Sequence, residues 1–302
     1  MTNPPTEFAG NAAVAVLVRD GAAGVEVLLL ERLMRGSFAG AWVFPGGYVD
    51  PEDAGTPAEY DAAAWATDVP VAEVPRALVA ATRRAAVRET EEETGLRIDA
   101  ASLLPMTCWV PPADSPKRMR AWYYLAPLEG EGGAGQEDAI QPGGARSSDQ
   151  VRLSDGEHSA WEWLTPADAL ARHGAGEKRL VPPIWATLNW LAEAGDTVEQ
   201  VTAAARGALA SRAAGESAAH GGGGVVLDDP DAGTAFVEYR SQLLSEGERK
   251  FVLWHGDAQW RDDLAEAGHA PHPLHPVRQA GEQAAGAHRL DITGLPWTLT
   301  RR

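Results

Sequence analysis

Residues 88–96, with the sequence RETEEETGL, constrain the fold of this chain more than any other stretch. Glu89, Glu92 and Glu93 are spaced i, i+3 and i+4, which on a helix places three carboxylates on one face. Like charges at that spacing repel one another and destabilise the helix unless a cation lies among them. Hard divalent cations such as Mg²⁺ bind carboxylate oxygens and substrate phosphates. The spacing therefore predicts a metal site on a helix, or else a solvated acidic face, which is what most charge runs are.

The charge balance excludes two classes of partner. The chain has 43 acidic and 26 basic side chains, a formal net charge of −17, so we expect neither nucleic acid nor an anionic membrane to bind. The single cysteine, Cys108, cannot form an internal disulfide, which favours a reducing, cytoplasmic location. No apolar run approaches the length of a membrane span, and residues 1–10 lack the features of a signal peptide. A phosphate-bearing substrate would need cations at its site.

The hydrophobic pattern predicts an α/β fold. Strands are expected at residues 11–18, 25–32, 103–110, 120–128 and 160–164, and helices at 77–94, 182–194 and 197–219. Gly95 is expected to end the first helix in the left-handed conformation. Residues 50–74 have little periodicity and are interpreted as a surface insertion. After Gly195, strand-like segments at 224–227, 235–240, 250–254 and 289–292 predict a C-terminal α+β extension.

This order of elements resembles the Nudix hydrolase signature G-x5-E-x7-R-E-U-x-E-E-x-G-U, where U is a bulky aliphatic residue. The second half matches over residues 88–96, with Thr90 at a usually aliphatic position. The first half matches over residues 44–53, FPGGYVDPED, with Asp53 where the family has glutamate. An extra segment, about 54–76, splits the motif. Because of it, either Asp53 or Glu52 could play the usual supporting part.

A long insertion at this point is similar to that of the Nudix subgroup typified by the peroxisomal coenzyme A diphosphatase. Three further stretches agree with that subgroup: residues 40–47 (GAWVFPGG), 109–111 (WVP) and 179–183 (RLVPP). The resemblance covers about residues 11–194. It implies a Nudix domain at 1–195, an α/β/α sandwich around a mixed β-sheet, followed by an extension at 196–302.

The family hydrolyses nucleoside diphosphates linked to another moiety, with Mg²⁺ or Mn²⁺ as cofactor. The resemblance therefore implies a diphosphatase acting on a small-molecule nucleotide substrate, with coenzyme A or acyl-CoA as the first expectation. ADP-ribose, NADH or another dinucleotide are the alternative substrates. A non-catalytic Nudix-fold module that binds a regulatory ligand is the alternative of another class. The presence of all three glutamates argues against that module.

The resemblance also assigns roles within the motif. Glu92 and Glu93 would bind the metal, together with the backbone carbonyl of Gly46. Glu89 would be a further metal ligand or the base that orients the attacking water. Arg88 would pair with a carboxylate of the motif and hold the glutamates in place; its alternative role is an ordinary surface arginine. These assignments make Glu89, Arg88 and Glu92 the catalytic candidates of the motif.

Further candidates lie outside the motif. The family often takes another catalytic acid from the loop before the last strand, where Glu157 fits best and Glu137 and Asp155 are rivals. The candidates for substrate binding are Arg32, Trp42, Gly47, Trp109 and Arg118, with Trp122 and Lys117 as weaker ones. Tryptophan faces can stack on a nucleobase, but such residues are more often part of the core. Arginine and lysine can bind phosphate oxygens or be plain surface charges.

Three other features are interpreted as structural. His269, His272 and His275 recur every third residue, but prolines alternate with them, so we expect an extended loop and not a metal site. Residues 254–257, WHGD, predict a turn after a strand. Cys108 lies in an apolar strand and is expected to be inert core. The C-terminal extension could serve as a homodimer arm, a lid or an added domain, and the sequence does not rank these alternatives.

Overall fold

The structure, a computed structural model, describes residues 8–35, 38–66, 71, 74–112, 115, 117–128, 151–154, 156–213, 224–226, 235–254, 257–260 and 287–301. Within these ranges a twelve-stranded sheet has the order β12-β11-β10-β9-β5-β6-β1-β2-β3, with β4 paired to β1, β7 to β2 and β8 to β9. The strands are β1 Phe8–Gly21, β2 Gly24–Arg32, β3 Trp42–Val43, β4 Gly46–Tyr48, β5 Leu104–Val110, β6 Arg118–Pro127, β7 His158–Leu164, β8 Gly224–Val226, β9 Ala235–Glu246, β10 Arg249–Trp254, β11 His288–Asp291 and β12 Thr298–Arg301.

Five α-helices accompany the sheet in the described residues: α1 Ala62–Trp65, α2 Arg76–Thr94, α3 Pro166–Gly174, α4 Pro182–Ala194 and α5 Val198–Ala213. Strand β1 pairs parallel with β6 and antiparallel with β2, so the sheet is mixed. The expected α/β class with a mixed sheet is confirmed. None of the described helices is long and apolar enough to span a membrane.

Apolar side chains of the central strands point alternately to the two faces of the sheet, so the protein has two cores, one on each face. In β1, Ala13, Ala15 and Leu17 belong to one buried cluster, and Val16 and Val18 belong to the other. Successive side chains of a strand point to opposite faces. Helix α2 covers the first face, and α4 and α5 cover the second. Because both faces are covered by helices, the sheet is the middle layer of a sandwich.

The segment between β4 and α2 is partly buried, contrary to the expectation of a surface insertion. Trp65, Val71 and Val74 are at most 6% exposed and pack into the core on the α2 face. The Asn11 side-chain amide donates to the backbone oxygen of Trp65 at 2.7 Å. The surface interpretation was wrong for this half of the segment because an apolar side chain as large as tryptophan gains most by burial.

The C-terminal strands continue the same sheet. Strand β9 pairs parallel with β5 over Thr107–Val110, and β10, β11 and β12 follow it in antiparallel order. The ring of Tyr239 on β9 stacks on Trp109 of β5, with centroids 4.5 Å apart. The predicted division of the chain after residue 195 stays a prediction, but these contacts bury apolar surface on both sides of it.

Candidate active site

Helix α2 carries the glutamate cluster, and two threonines let it do so next to the core. Thr90 occupies the usually aliphatic position, and its hydroxyl donates to the Ala86 backbone oxygen at 2.7 Å. The Thr94 hydroxyl donates to the Thr90 oxygen in the same way. Both side chains are fully buried, and these internal bonds satisfy their hydroxyls without a tertiary partner. Gly95, at φ 71°, then ends the helix in the left-handed conformation that was predicted.

The three glutamates form a gradient from the core to solvent. The side chains of Glu93, Glu89 and Glu92 are 5%, 14% and 57% exposed, respectively. The i, i+3, i+4 spacing does place them on one helix face, as predicted. That face is therefore an acidic strip with a buried end at Glu93 and an open end at Glu92.

The Gly46–Gly47 loop lies directly against this strip. The Gly46 backbone N–H donates to Glu93 Oε2 at 2.8 Å. A Cβ on Gly46 would lie 2.3 Å from the Ala13 backbone oxygen, and its φ of 154° is one that other residues rarely adopt. A Cβ on Gly47 would lie 2.4 Å from the Glu89 carboxylate. Gly46 is therefore required by backbone packing and conformation, whereas the missing side chain at Gly47 leaves room for the Glu89 carboxylate.

Arg88 organises the outer half of the strip. Its guanidinium binds Asp53 through two bonds, of 2.9 and 3.1 Å, and also donates to Glu89 Oε1 at 2.9 Å, Glu92 Oε2 at 3.2 Å and the Tyr48 backbone oxygen at 2.9 Å. The hydrogen bonds with Asp53 are the largest cause of a raised Arg88 pKa. Asp53 is buried and Glu52 is exposed. Of the two acids weighed for the supporting part, the structure places Asp53 on the arginine.

Burial at the inner end of the strip disfavours the charged form of its carboxylates. Burial, together with the charges of Glu89 and Glu157, raises the pKa of Glu93 from 4.5 to about 8, although the Gly46 N–H and Arg32 lower it. Burial also raises the pKa of Glu89. A carboxylate set of this kind fits a hard divalent cation, which would supply the missing positive charge. The donor chemistry of the site is therefore suited to the metal that the motif predicts.

Glu157, in the loop before β7, and His158, the first residue of β7, both approach the strip. One oxygen of Glu93, one of Glu157 and a ring nitrogen of His158 all lie within 4.8 Å of one another. The Leu33 backbone N–H donates to the Glu157 backbone oxygen at 3.0 Å, which fixes this loop to the end of β2. The structure thus brings the predicted acid Glu157 next to Glu93. Its rivals Glu137 and Asp155 lie outside the described residues.

His158 was not among the predicted site residues. It is buried, and its Nε2 lies 3.7 Å from Glu93 Oε1. Burial and the charge of Arg32 lower its pKa from 6.5 to about 4, so the ring is neutral at pH 7. A single histidine beside a loop carries no spacing signal, and its approach to Glu93 arises only when β7 pairs with β2. Adjacency to Glu157 was the one clue in the sequence.

Two predicted phosphate ligands lie near the strip. Arg32 is the cross-strand partner of His158, and among the described residues its Nε has no hydrogen-bond partner. Lys117 is exposed and its Nζ lies 4.6 Å from the ring of Tyr48, the residue that follows the glycine loop. Arg32 thus places positive charge beside Glu93, and Lys117 places it beside the residue that follows the glycine loop; basic groups of this kind can bind phosphate oxygens.

The remaining substrate-binding candidates are buried in packing of their own. The Trp109 ring stacks on Tyr239, and the Trp42 ring lies 3.0 Å from Lys178 Nζ. Arg118 lies over Phe8 at 4.5 Å. Trp42, Trp109, Trp122 and Arg118 are all at most 8% exposed. A nucleobase could stack on Trp42 or Trp109 only if the ring left this packing, so the structure gives these predicted roles no support.

Of the features that the sequence analysis interpreted as structural, the structure describes some and not others. Cys108 is buried, and burial raises the pKa of its thiol, as expected for inert core. Asp257 accepts hydrogen bonds from Arg289 and from the His288 backbone N–H, so its carboxylate is used within the C-terminal strands. His269, His272 and His275 lie outside the described residues, as does His255 of the WHGD turn.

Comparison with known proteins gives one family match. Residues 80–183 match the family model described as NUDIX domain. Similar solved structures include a NUDIX hydrolase from Alicyclobacillus acidocaldarius (23% identity, 62% of this chain and 91% of that one, TM-score 0.44). A MutT NUDIX hydrolase from Burkholderia pseudomallei is 24% identical over 60% of this chain and 95% of that one, with a TM-score of 0.35. The NUDIX domain of Shewanella oneidensis NrtR complexed with ADP ribose is 14% identical over 62% of this chain and 87% of that one, with a TM-score of 0.38. No curated protein matches the chain.

Proposed function

We propose that this chain, whose residues 80–183 match the NUDIX domain model, is a pyrophosphohydrolase that cleaves the diphosphate of a nucleoside diphosphate-linked substrate, with coenzyme A or an acyl-CoA as the first candidate. The observation that carries the proposal is the acidic strip of Glu93, Glu89 and Glu92 beneath the glycine loop. It combines carboxylates, a raised Glu93 pKa and an open end.

Glu92 and Glu93 would hold Mg²⁺ or Mn²⁺, with Gly46 supplying its backbone carbonyl. When bound, such an ion neutralises charge on the diphosphate oxygens and makes a neighbouring water more acidic. Arg32 would bind a diphosphate oxygen. Positioned charge of this kind lowers the barrier because negative charge builds up on the reacting phosphoryl group.

Glu89 and Glu157 are the candidates for the base. Either would orient a water and take its proton as the water oxygen attacks phosphorus and the bond to the bridging oxygen breaks, which releases two phosphate monoesters. Glu89 suits this role because burial raises its pKa and makes it more basic, and because Arg88 fixes its carboxylate at 2.9 Å. Glu157 suits it because it is exposed and one of its oxygens lies within 4.8 Å of a Glu93 oxygen.

The coenzyme A assignment is supported by the split motif. Residues 54–75 separate the glycine loop from α2, and their buried half anchors the segment through Trp65 and Val71. We infer that a segment held in this way contacts the group attached to the diphosphate. ADP-ribose and NADH differ from coenzyme A in that attached group, so a substrate panel separates them.

The test is hydrolysis of coenzyme A, an acyl-CoA, ADP-ribose, NADH and a diadenosine polyphosphate, each with Mg²⁺ and with Mn²⁺. Mass spectrometry of products formed in ¹⁸O-water identifies the phosphorus that is attacked. Glu92→Gln should lower kcat at least about 100-fold. Glu91→Gln is the matched control, because Glu91 is exposed on the same turn and pairs with Arg97 at 2.8 Å. Full activity of Glu92→Gln, or no hydrolysis of the panel by the wild-type protein, would overturn the proposal.

A further inference from the structure

His158 is a buried polar side chain whose hydrogen-bonding groups are unused. Its side chain has no exposed surface, and neither ring nitrogen has a hydrogen-bond partner among the described residues. Buried polar atoms are nearly always paired, and leaving one unpaired costs about 1–3 kcal/mol. A strand position that keeps an imidazole at this cost calls for a ligand that the protein chain itself does not supply.

The geometry around the ring points toward Glu93. His158 Nε2 lies 3.7 Å from Glu93 Oε1, which is too long for a hydrogen bond. Two ligand atoms at about 2.0–2.2 Å from one ion lie about 3.0–3.5 Å apart at right or tetrahedral angles. A separation of 3.7 Å therefore needs only a slightly wider angle at a shared ion. A Glu157 oxygen lies within 4.8 Å of both atoms and can complete a three-ligand face.

The backbone holds two of these groups rigidly. His158 is the first residue of β7 and pairs with Arg32 of β2, while Glu93 is fixed by the Gly46 N–H at 2.8 Å. Glu157 is exposed and free to swing toward the pair. Two rigid ligands and one adjustable one make a site that is largely formed before an ion binds.

We propose that His158 is a nitrogen ligand of the cation bound by Glu93 and Glu157, and that this site prefers a transition-metal ion such as Co²⁺ or Zn²⁺ over Mg²⁺. Imidazole nitrogen is a good ligand for these borderline ions, whereas Mg²⁺ takes oxygen ligands almost exclusively. The inference rests on the proposed function, because it concerns the metal of the same site. The proposal adds a metal ligand from β7, outside the Nudix signature.

Calorimetric titration of the full-length, metal-free protein without substrate tests the preference. Wild type should bind Co²⁺ more tightly than Mg²⁺. His158→Gln should weaken Co²⁺ binding at least about 10-fold and change Mg²⁺ binding less than about 3-fold, because Mg²⁺ makes little use of the nitrogen. His173→Gln is the matched control, since His173 is equally buried but bonds through Nδ1 to the Lys178 backbone oxygen at 3.0 Å. Equal losses for both ions in His158→Gln would overturn the proposal.

Pulsed electron paramagnetic resonance of Mn²⁺ bound to the wild-type protein tests coordination directly and does not depend on any variant folding. A ¹⁴N coupling from a bound imidazole is expected, and it should persist in His173→Gln and disappear in a folded His158→Gln. Absence of that coupling in the wild type would overturn the proposal and leave hydrolysis of the panel untouched. A nitrogen coupling in a protein that hydrolyses no substrate would leave the site standing and refute the proposed function instead.

Discussion

The free energy of unfolding of the metal-free protein should fall as the pH rises from about 6.5 to 8, and Glu93 should be responsible. Burial raises the pKa of Glu93 in the folded protein from 4.5 to about 8, so the folded state keeps a proton that the unfolded chain has released. Folding then takes up a proton, and each rise in pH disfavours the folded state. The contribution of protonated Glu93 is complete below pH 4.5 and is lost as the pH passes through about 8.

The size of the effect follows from the pKa values. One proton of difference is worth about 1.4 kcal/mol per pH unit. A group with a pKa of about 8 is mostly protonated at pH 6.5 and half ionised at pH 8, which integrates to a loss of about 1–2 kcal/mol over that interval. His158 acts in the opposite sense: its pKa is lowered from 6.5 to about 4, so its contribution is present above pH 6.5 and lost as the pH falls. His158 therefore opposes the loss only near the lower end of the interval, and comparison with a variant that lacks the Glu93 carboxyl isolates the contribution of Glu93.

Urea unfolding of the chelator-treated protein at several pH values is the measurement. Glu93→Gln removes the ionisable group while keeping an acceptor for the Gly46 N–H, so its slope between pH 6.5 and 8 should be smaller by the same 1–2 kcal/mol. A divalent cation should restore stability most strongly at pH 8, where Glu93 is most ready to ionise. Wild-type and Glu93→Gln curves that run parallel would refute the reasoning, because they would show that Glu93 ionises normally.

Three further predictions use other parts of the site. Asp53→Asn should lower the free energy of unfolding by about 3–5 kcal/mol in urea, because it leaves the partly buried Arg88 without its main partner. Asp50 is half exposed and lies 3.7 Å from the same guanidinium, so the control Asp50→Asn should lower it by under about 1 kcal/mol. Gly47→Ala should keep its melting temperature within a few degrees yet lower kcat at least about 10-fold, because the new methyl group displaces the Glu89 carboxylate; an unchanged kcat would contradict this. Cys108 should react with a thiol reagent only after unfolding, and fast labelling of the native protein would show that the strand opens.

The sequence predicted those parts of the molecule that depend on short-range patterns. The strands and helices follow from alternation and helical spacing, and Gly95 ends α2 in the expected conformation. The glutamates share a helix face because their spacing requires it. The buried half of the segment before α2 could not be predicted, since Trp65 and Val71 gain their burial from strands distant in the chain. Their neighbours are alanines, aspartates and prolines, which give no apolar period.

The same difference between local pattern and tertiary pairing separates the site residues that could be predicted from those that could not. Glu93 and Arg88 belong to one helix, so their relation to the motif could be derived from the sequence. His158 reaches Glu93 only through the pairing of β7 with β2, which no local pattern encodes. The choice of Asp53 over Glu52 likewise depended on which carboxylate the fold turns toward the arginine. Sequence spacing thus predicted the ligands on one element, and tertiary pairing decided the ligands contributed by others.

The C-terminal strands explain why the aromatic candidates are poorly placed for a nucleobase. Strand β9 pairs with β5 and covers the Trp109 ring with Tyr239. On the opposite face of β9, Phe236 packs edge-on against Trp122, and the Glu238 carboxylate accepts the Val71 backbone N–H at 3.1 Å. Strand β9 therefore covers Trp109 and Trp122, and through Glu238 it also binds the segment that splits the motif. Recognition of the substrate beyond its diphosphate must then come from other groups: Arg32 beside Glu93 and His158, the exposed Lys117, and the exposed part of that segment.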